Sequence, residues 1–290
     1  MSSFLSVCKR HNIREIDTAR VYAGGRSESV AGDAGICKQF AISTKAPAFA
    51  PKSLSYENIV RNCKLSLDAL QTDKVDIYYL HGPDRSTPLE EQCRAMGELY
   101  VQGKFERFGV SNISDDEVQQ IYDICKREGY CLPKVYQGGF NPIGRGPEAT
   151  LIPLLRKLDM NFYAFSPLGG GLLAKRIEEL IKPKKGTRFD EMKVFGDIYL
   201  TEEIMDGLAK VQKVCDDEGV SLMEATMRWF MHHSVLNNED GFILGASSNE
   251  QLDASLGACE KGPLSEELAK AWEDLGSGLR EKGKVPKYHS

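Results

Sequence analysis

The chain has 290 residues, of which 41% are hydrophobic and 27% charged, the balance of an ordinary folded protein with a sizeable core. Its formal charge of -5 and pI near 5.7 argue against nucleic acid or an anionic membrane as partner, since either would call for a basic surplus. No apolar run reaches the ~20 residues that span a bilayer, and the charged stretch from Met1 to Asn12 does not read as a secretory signal.

Eight cysteines are scattered without a CxxC pair or zinc spacing, so reduced thiols and a cytoplasmic protein are expected, with no metal site. In chain order, residues 2–12 read as the end of a helix and Ile13 to Ala19 as a strand. A Gly-rich turn at 23–28 leads to a short helix ending at Cys37, and Phe40 to Lys45 reads as the second strand. Ile59, Val60, Cys63, Leu67 and Leu70 have helical spacing within Tyr56 to Leu70. Val75 to Leu80 is the third strand, Glu90 to Val101 a helix stopped near Gly103, and Phe108 to Asn112 the fourth strand.

Ser114 is placed to cap a helix that opens on the acidic turn Asp115-Asp116-Glu117. Val135 to Asn141 is the fifth strand, Leu151 to Leu158 a helix, and Asn161 to Ser166 the sixth strand. Lys175 to Asp197 is basic and without period, and reads as a long loop. Helices over Glu202 to Glu218 and Ser221 to His232 precede a seventh strand, Gly241 to Gly245. A helix starting near Asn249 and another over Leu264 to Leu279 complete the set.

Strand–helix alternation with short apolar strands predicts an α/β fold with a parallel sheet, in one domain over residues 1–290. A doubly wound sheet and a closed barrel both fit this alternation, and the barrel is favoured because polar residues cluster at the C-terminal ends of several strands. Neither GxGxxG nor GxxxxGK[ST] occurs.

The strand ends carry the candidate chemistry. Asp17 lies near the end of the first strand and Tyr22 just beyond it, Lys45 ends the second and His81 follows the third. A neutral phenol titrates near 10, too high for easy proton exchange at pH 7. A Lys ammonium beside it favours phenolate, and an Asp paired with the Lys holds that charge in place. His81 can then hydrogen-bond the oxygen that Tyr22 protonates. The set suits protonation of a carbonyl oxygen while hydride reaches the carbon, and since none of the four donates hydride a cofactor is required. Arg145, beyond the fifth strand, is a candidate for a substrate carboxylate, with a solvated loop charge as the favoured reading.

The pattern Asp17-Thr18-Ala19-x-x-Tyr22, Ser43-Thr44-Lys45 and Leu80-His81 resembles the catalytic tetrad of the aldo-keto reductases, in particular the aflatoxin-aldehyde reductase branch and its fungal relatives. The similarity extends through Leu80 to Asp84, Tyr136 to Gly138, Phe165 to Leu173 and Ile243 to Leu252. It implies a (β/α)8 TIM barrel that binds NADPH, in preference to NADH, without a Rossmann domain. It implies Tyr22 as general acid, Lys45 and Asp17 as its tuning pair, and His81 as the orienting group. Ser111, Asn112 and Gln137 match positions that hold the nicotinamide carboxamide, and Phe165 matches the aromatic stacked on its ring. Ser166, Leu168 and Gly170 match the pyrophosphate loop. Ser247, Gln251 and Ser255 match the adenosine-phosphate end, where Gln251 replaces a common Arg and Ser255 a common Asn; Lys175, Arg176 or Arg188 are candidates to supply the missing charge.

Relatives begin with a further strand bearing a Gly-rich turn, which this sequence lacks. The barrel is therefore expected without its N-terminal first strand, with seven strands and two unpaired edges. The turn between Tyr22 and Lys45 is also short. The expected function is reduction of aldehydes or ketones, including dicarbonyls or a secondary-metabolite carbonyl, with a homodimer expected from the resemblance. The competing reading is a catalytically weak or inactive binding or regulatory barrel.

Overall fold

The computed structural model describes residues 2–181, 196 and 198–286. Within them the elements are α1 (Ser2–Arg10), β1 (Glu15–Asp17), α2 (Ser27–Asp33), β2 (Ala41–Ala46), α3 (Tyr56–Leu70), β3 (Val75–Leu80), α4 (Leu89–Val101), β4 (Phe105–Ser111), α5 (Asp115–Glu128) and β5 (Pro133–Gly139). They continue with α6 (Leu151–Lys157), β6 (Asn161–Phe165), α7 (Ile177–Ile181), α8 (Glu202–Glu218), α9 (Leu222–His232), β7 (Gly241–Phe242), α10 (Asn249–Cys259) and α11 (Glu266–Glu281).

The seven strands form one sheet in sequential order, β1-β2-β3-β4-β5-β6-β7. A doubly wound sheet would reverse direction at a switch point. Unbroken sequential order instead belongs to a β/α barrel, here with one strand fewer than eight. The pairings from β1 to β5 are parallel, with Asp17 opposite Ser43, Lys45 opposite Tyr79 and Ser111 opposite Gln137. Apart from single positions β2, β3 and β5 are buried on both faces, as helix-covered parallel strands must be.

Five of the described helices start where a serine satisfies one of their first free N–H groups. Ser55, Ser114, Ser221, Ser248 and Ser265 each accept from the backbone three residues on. Ser114 and Glu117 complete a capping box, and Gly129 ends the same helix in the left-handed region. The basic stretch read as a loop contains the short helix α7, whose first turn holds Glu178 and Glu179. Arg188, a candidate for cofactor charge, lies outside the described residues.

The chain divides into two compact units, residues 1–138 with 150–163, and residues 139–149 with 164–290. In the first unit, Arg107 on β4 bonds Asp76 at 3.0 Å, Glu15 at 3.2 Å and the Tyr163 hydroxyl at 3.2 Å. One guanidinium thereby ties together residues of β1, β3, β4 and β6. In the second, Phe140, Trp229, Phe230 and Phe242 pack as a ladder of rings with neighbouring centroids 4.8–5.8 Å apart.

Candidate active site

The first unit brings the strand-end residues together. Parallel register sets Asp17 at the end of β1 beside Ser43, one pleat short of Lys45 on β2. The fully buried Lys45 Nζ donates to Asp17 Oδ2 at 2.5 Å and to the Thr18 carbonyl at 2.8 Å. An ammonium removed from water needs such partners. Asp17 Oδ1 accepts from Gln137 Nε2 at 3.0 Å, so β1, β2 and β5 meet on one carboxylate.

Two tyrosines flank that ammonium. Lys45 Nζ is 4.9 Å from the Tyr22 ring centroid and 5.6 Å from that of Tyr79. Tyr79 is wholly buried, and burial with the nearby Asp17 charge pushes its phenol well above the usual range. Its hydroxyl lies near the Gln137 amide without forming a hydrogen bond of normal geometry. Tyr79 owes its place to Gly109, directly opposite on β4, where a Cβ would come within 2.3 Å of the ring. Tyr22 is different: it is 38% exposed, and an incoming molecule can reach it. Of the two, only Tyr22 combines contact with the ammonium and access. The sequence gives Tyr79 no role of its own, because an aromatic inside an apolar strand reads as core.

Tyr22 stands at the head of a tight turn, Tyr22–Gly25, in which Ala23 and Gly24 take left-handed backbone angles. Its ring meets the His81 imidazole edge-on, with centroids 5.8 Å apart and planes at 75°. Phe49 meets the same imidazole from another side at 5.8 Å and 65°. Asn112, at φ 58°, donates from Nδ2 to the His81 carbonyl at 2.9 Å and to Ser111 Oγ at 3.0 Å. Ser111, Asn112, Gln137 and the tetrad positions therefore share one connected hydrogen-bonded and aromatic neighbourhood.

The other predicted binding residues lie in the second unit. Phe165 accepts at its carbonyl from the Phe140 N–H at 3.3 Å. Ser166, at φ 54°, accepts from Asn141 Nδ2 and from the Gly169 N–H, and Leu168 opens a 3-10 turn in which Gly170 and Gly171 take positive φ. Within that turn the Gly171 and Leu173 N–H groups both donate to the Leu168 carbonyl, at 2.9 and 3.1 Å. Ser248 caps α10, and Gln251 Oε1 accepts from the Ser247 N–H at 3.2 Å and its hydroxyl at 2.8 Å. Ser255 is buried on the same helix at 7% exposure.

Two charges have structural partners. Arg176 forms a fork onto Asp216 at 2.7 and 2.9 Å, and that pairing raises its pKa. Arg145 is neither a substrate-facing charge nor a solvated one. It is 6% exposed, bonds Glu148 at 2.7 Å and Glu273 at 2.5 Å, and lies over the Trp229 ring. Apart from these sites, a groove of 460 Å3 between α8 and α11 is lined by Glu202, Glu203, Asp206 and Asp274. A cleft of 300 Å3 borders the loop after β3, lined by Leu80, Asp84 and Gln92; neither cavity includes Tyr22 or Lys45.

The model of the Aldo/keto reductase family matches residues 4–277. The chain belongs to the aldo/keto reductase family. Curated relatives agree. Aldo-keto reductase family 7 member A3 of Homo sapiens is 40% identical over 277 residues, covering 89% of this chain and 83% of that protein. Oxidoreductase sirO of Leptosphaeria maculans is 38% identical over 284 residues, covering 96% and 86%. Aflatoxin B1 aldehyde reductase member 2 of Mus musculus is 38% identical over 278 residues, covering 89% and 75%. This aldo/keto reductase is thus an oxidoreductase with a carbonyl-reducing role, and its family uses nicotinamide cofactors. Among the described residues no helix is long and apolar enough to cross a membrane.

Proposed function

We propose that the protein is an NADPH-dependent reductase of aldehydes or ketones to alcohols, with Tyr22 as the proton donor. The observation that carries this reading is the buried Lys45 ammonium, fixed by Asp17 at 2.5 Å and lying 4.9 Å from the ring of an exposed tyrosine. A cation beside a phenol stabilises its anion and eases loss of the proton to a carbonyl oxygen that gains negative charge. Asp17 keeps the ammonium in place, and His81 orients the same oxygen. Bound cofactor supplies the hydride.

The donor sets suit that cofactor. The Ser111 hydroxyl and the Asn112 and Gln137 amides offer the donors and acceptors a primary carboxamide requires. In the second unit, Phe165 offers a ring face, Ser166, Leu168 and Gly170 lie in the turn after β6, and Ser247, Gln251 and Ser255 belong to the α10 end. No cation stands between Ser247 and Ser255, and Arg176 already holds Asp216. Preference for NADPH over NADH should therefore be modest.

Fluorescence titration with NADPH and NADH, followed by turnover of benzaldehyde as probe, tests the reading. Tyr22→Phe should leave NADPH affinity unchanged and lower kcat by ~10²–10⁴-fold, the usual worth of a positioned acid. Absence of cofactor binding, or undiminished turnover in Tyr22→Phe, would sink it.

A further inference from the structure

Three residues beyond His81, the Asp84 carboxylate is buried at 6% exposure and accepts five hydrogen bonds. Three come from its own turn: the Ser86 N–H at 3.1 Å, Ser86 Oγ at 2.6 Å and Thr87 Oγ1 at 2.7 Å. Two come from the segment after β2, the backbone N–H groups of Leu54 at 3.0 Å and of Lys52 at 3.3 Å, the latter shared with Ser86 Oγ at 2.8 Å, which itself donates to Asp84. Gln92, buried on α4, holds the same turn by donating to the Asp84 and Thr87 carbonyls.

The segment gripped in this way is strained. Phe49 and Lys52 take φ of 69° and 62°, angles that side chains with a Cβ rarely adopt. Such residues persist only where their surroundings over-determine them. Asp84 supplies one of those determinants at Leu54 and, together with the Ser86 hydroxyl it orients, a second at Lys52; the Phe49 N–H to Pro83 carbonyl bond at 3.3 Å supplies a third. Burial cannot be the cause, because Phe49 is 53% exposed. Its ring nevertheless stands against His81, in space that exists because residue 82 is glycine: a Cβ there would come within 2.3 Å of the ring.

We propose that Asp84 is a positioning residue. It clamps the segment after β2 to the loop after β3, sets the Phe49 ring edge-on against His81, and so fixes the imidazole beside Tyr22. The geometric part stands on its own; the consequence for turnover rests on the reductase reading above.

NMR of the His81 ring separates the two. Phe49→Ala removes a ring current at 5.8 Å, and Asp84→Asn, which puts an amide among N–H donors, should move the same His81 resonances in the same direction. With benzaldehyde and NADPH, Asp84→Asn should lower kcat/KM by about 10–100-fold, as small misplacement of a reacting group does, with NADPH affinity unchanged. In the Phe49→Ala background the further loss should shrink to about twofold or less, since coupled residues are not additive. A purely structural role would give equal losses in both backgrounds. If Asp84→Asn does not fold, Thr87→Ala removes one donor and should give a smaller shift of the same sign. Unmoved His81 resonances in a folded variant overturn the proposal, and so do additive losses or an unchanged kcat/KM. An inactive wild-type protein whose His81 resonances shift as expected would defeat the reductase reading while upholding the clamp.

Discussion

Glu28 shows how a side chain outside the tetrad supports it. It is 1% exposed, with Arg20 at 2.8 Å on one carboxylate oxygen and the Thr44 hydroxyl at 2.5 Å on the other. Arg20 precedes Tyr22 by two positions and Thr44 adjoins Lys45, so one carboxylate steadies both chain segments that carry the proton donor and its cation. Glu28→Ala leaves the buried Thr44 hydroxyl without its carboxylate acceptor and the Arg20 guanidinium with the Leu65 carbonyl at 3.4 Å. Arg20 is a quarter exposed and can rehydrate, so the loss should sit near the low end for a broken buried pair, about 2 kcal/mol. Urea unfolding measures this, and a loss below about 0.5 kcal/mol, the level of an ordinary surface change, would show that Glu28 anchors nothing. Asp17, Tyr22, Lys45 and His81 were legible because polar side chains ending apolar runs stand out. The fate of Arg145 was not, because its partner Glu273 is 128 positions away and only the fold brings them together.

At the level of elements, strand order and helix number were largely legible, since apolar period and serine caps are local signals. Ends were less so. The strand expected over Ile13 to Ala19 contracts to Glu15–Asp17, because the chain must turn at Thr18 to offer its carbonyl to Lys45. The one expected from Gly241 to Gly245 contracts to Gly241–Phe242. Nothing local announces the left-handed residues of the segment after β2, because a buried carboxylate from another loop imposes them. That dependence has a pH signature. Burial pushes the Asp84 carboxyl up, but the bonds from Ser86, Thr87 and Leu54 outweigh it and hold the pKa below its usual value. A lowered folded pKa means stability fully present above the unfolded carboxyl value of about 3.9 and lost as pH falls through the folded one. The stability difference between wild type and Asp84→Asn should accordingly stay level from about pH 7 to 5 and shrink below about pH 4. Unfolding curves across that range decide it, and a difference that persists undiminished at about pH 2 would refute the linkage.

For the whole molecule, the sequential sheet follows from strand–helix alternation and was legible, whereas its division into two compact units was not, since no composition break marks it. The division runs through regular elements. Residues 133–138 of β5 fall in one unit and Gly139 in the other, and β6 divides between Tyr163 and Ala164. Domain boundaries ordinarily fall in exposed linkers with few contacts, not inside strands. Because β5 and β6 each run from one unit into the other, both units should unfold together. The tryptophans give a direct check, because Trp229 and Trp272 both lie in the second unit and are almost fully buried. Their fluorescence reports that unit alone, while far-ultraviolet circular dichroism reports helices in both. Urea midpoints from the two probes should coincide, and saturating NADPH at about 100 times its Kd should shift both equally, by about 2.7 kcal/mol. Separated midpoints, or a shift in one probe only, would establish two independently folding domains instead.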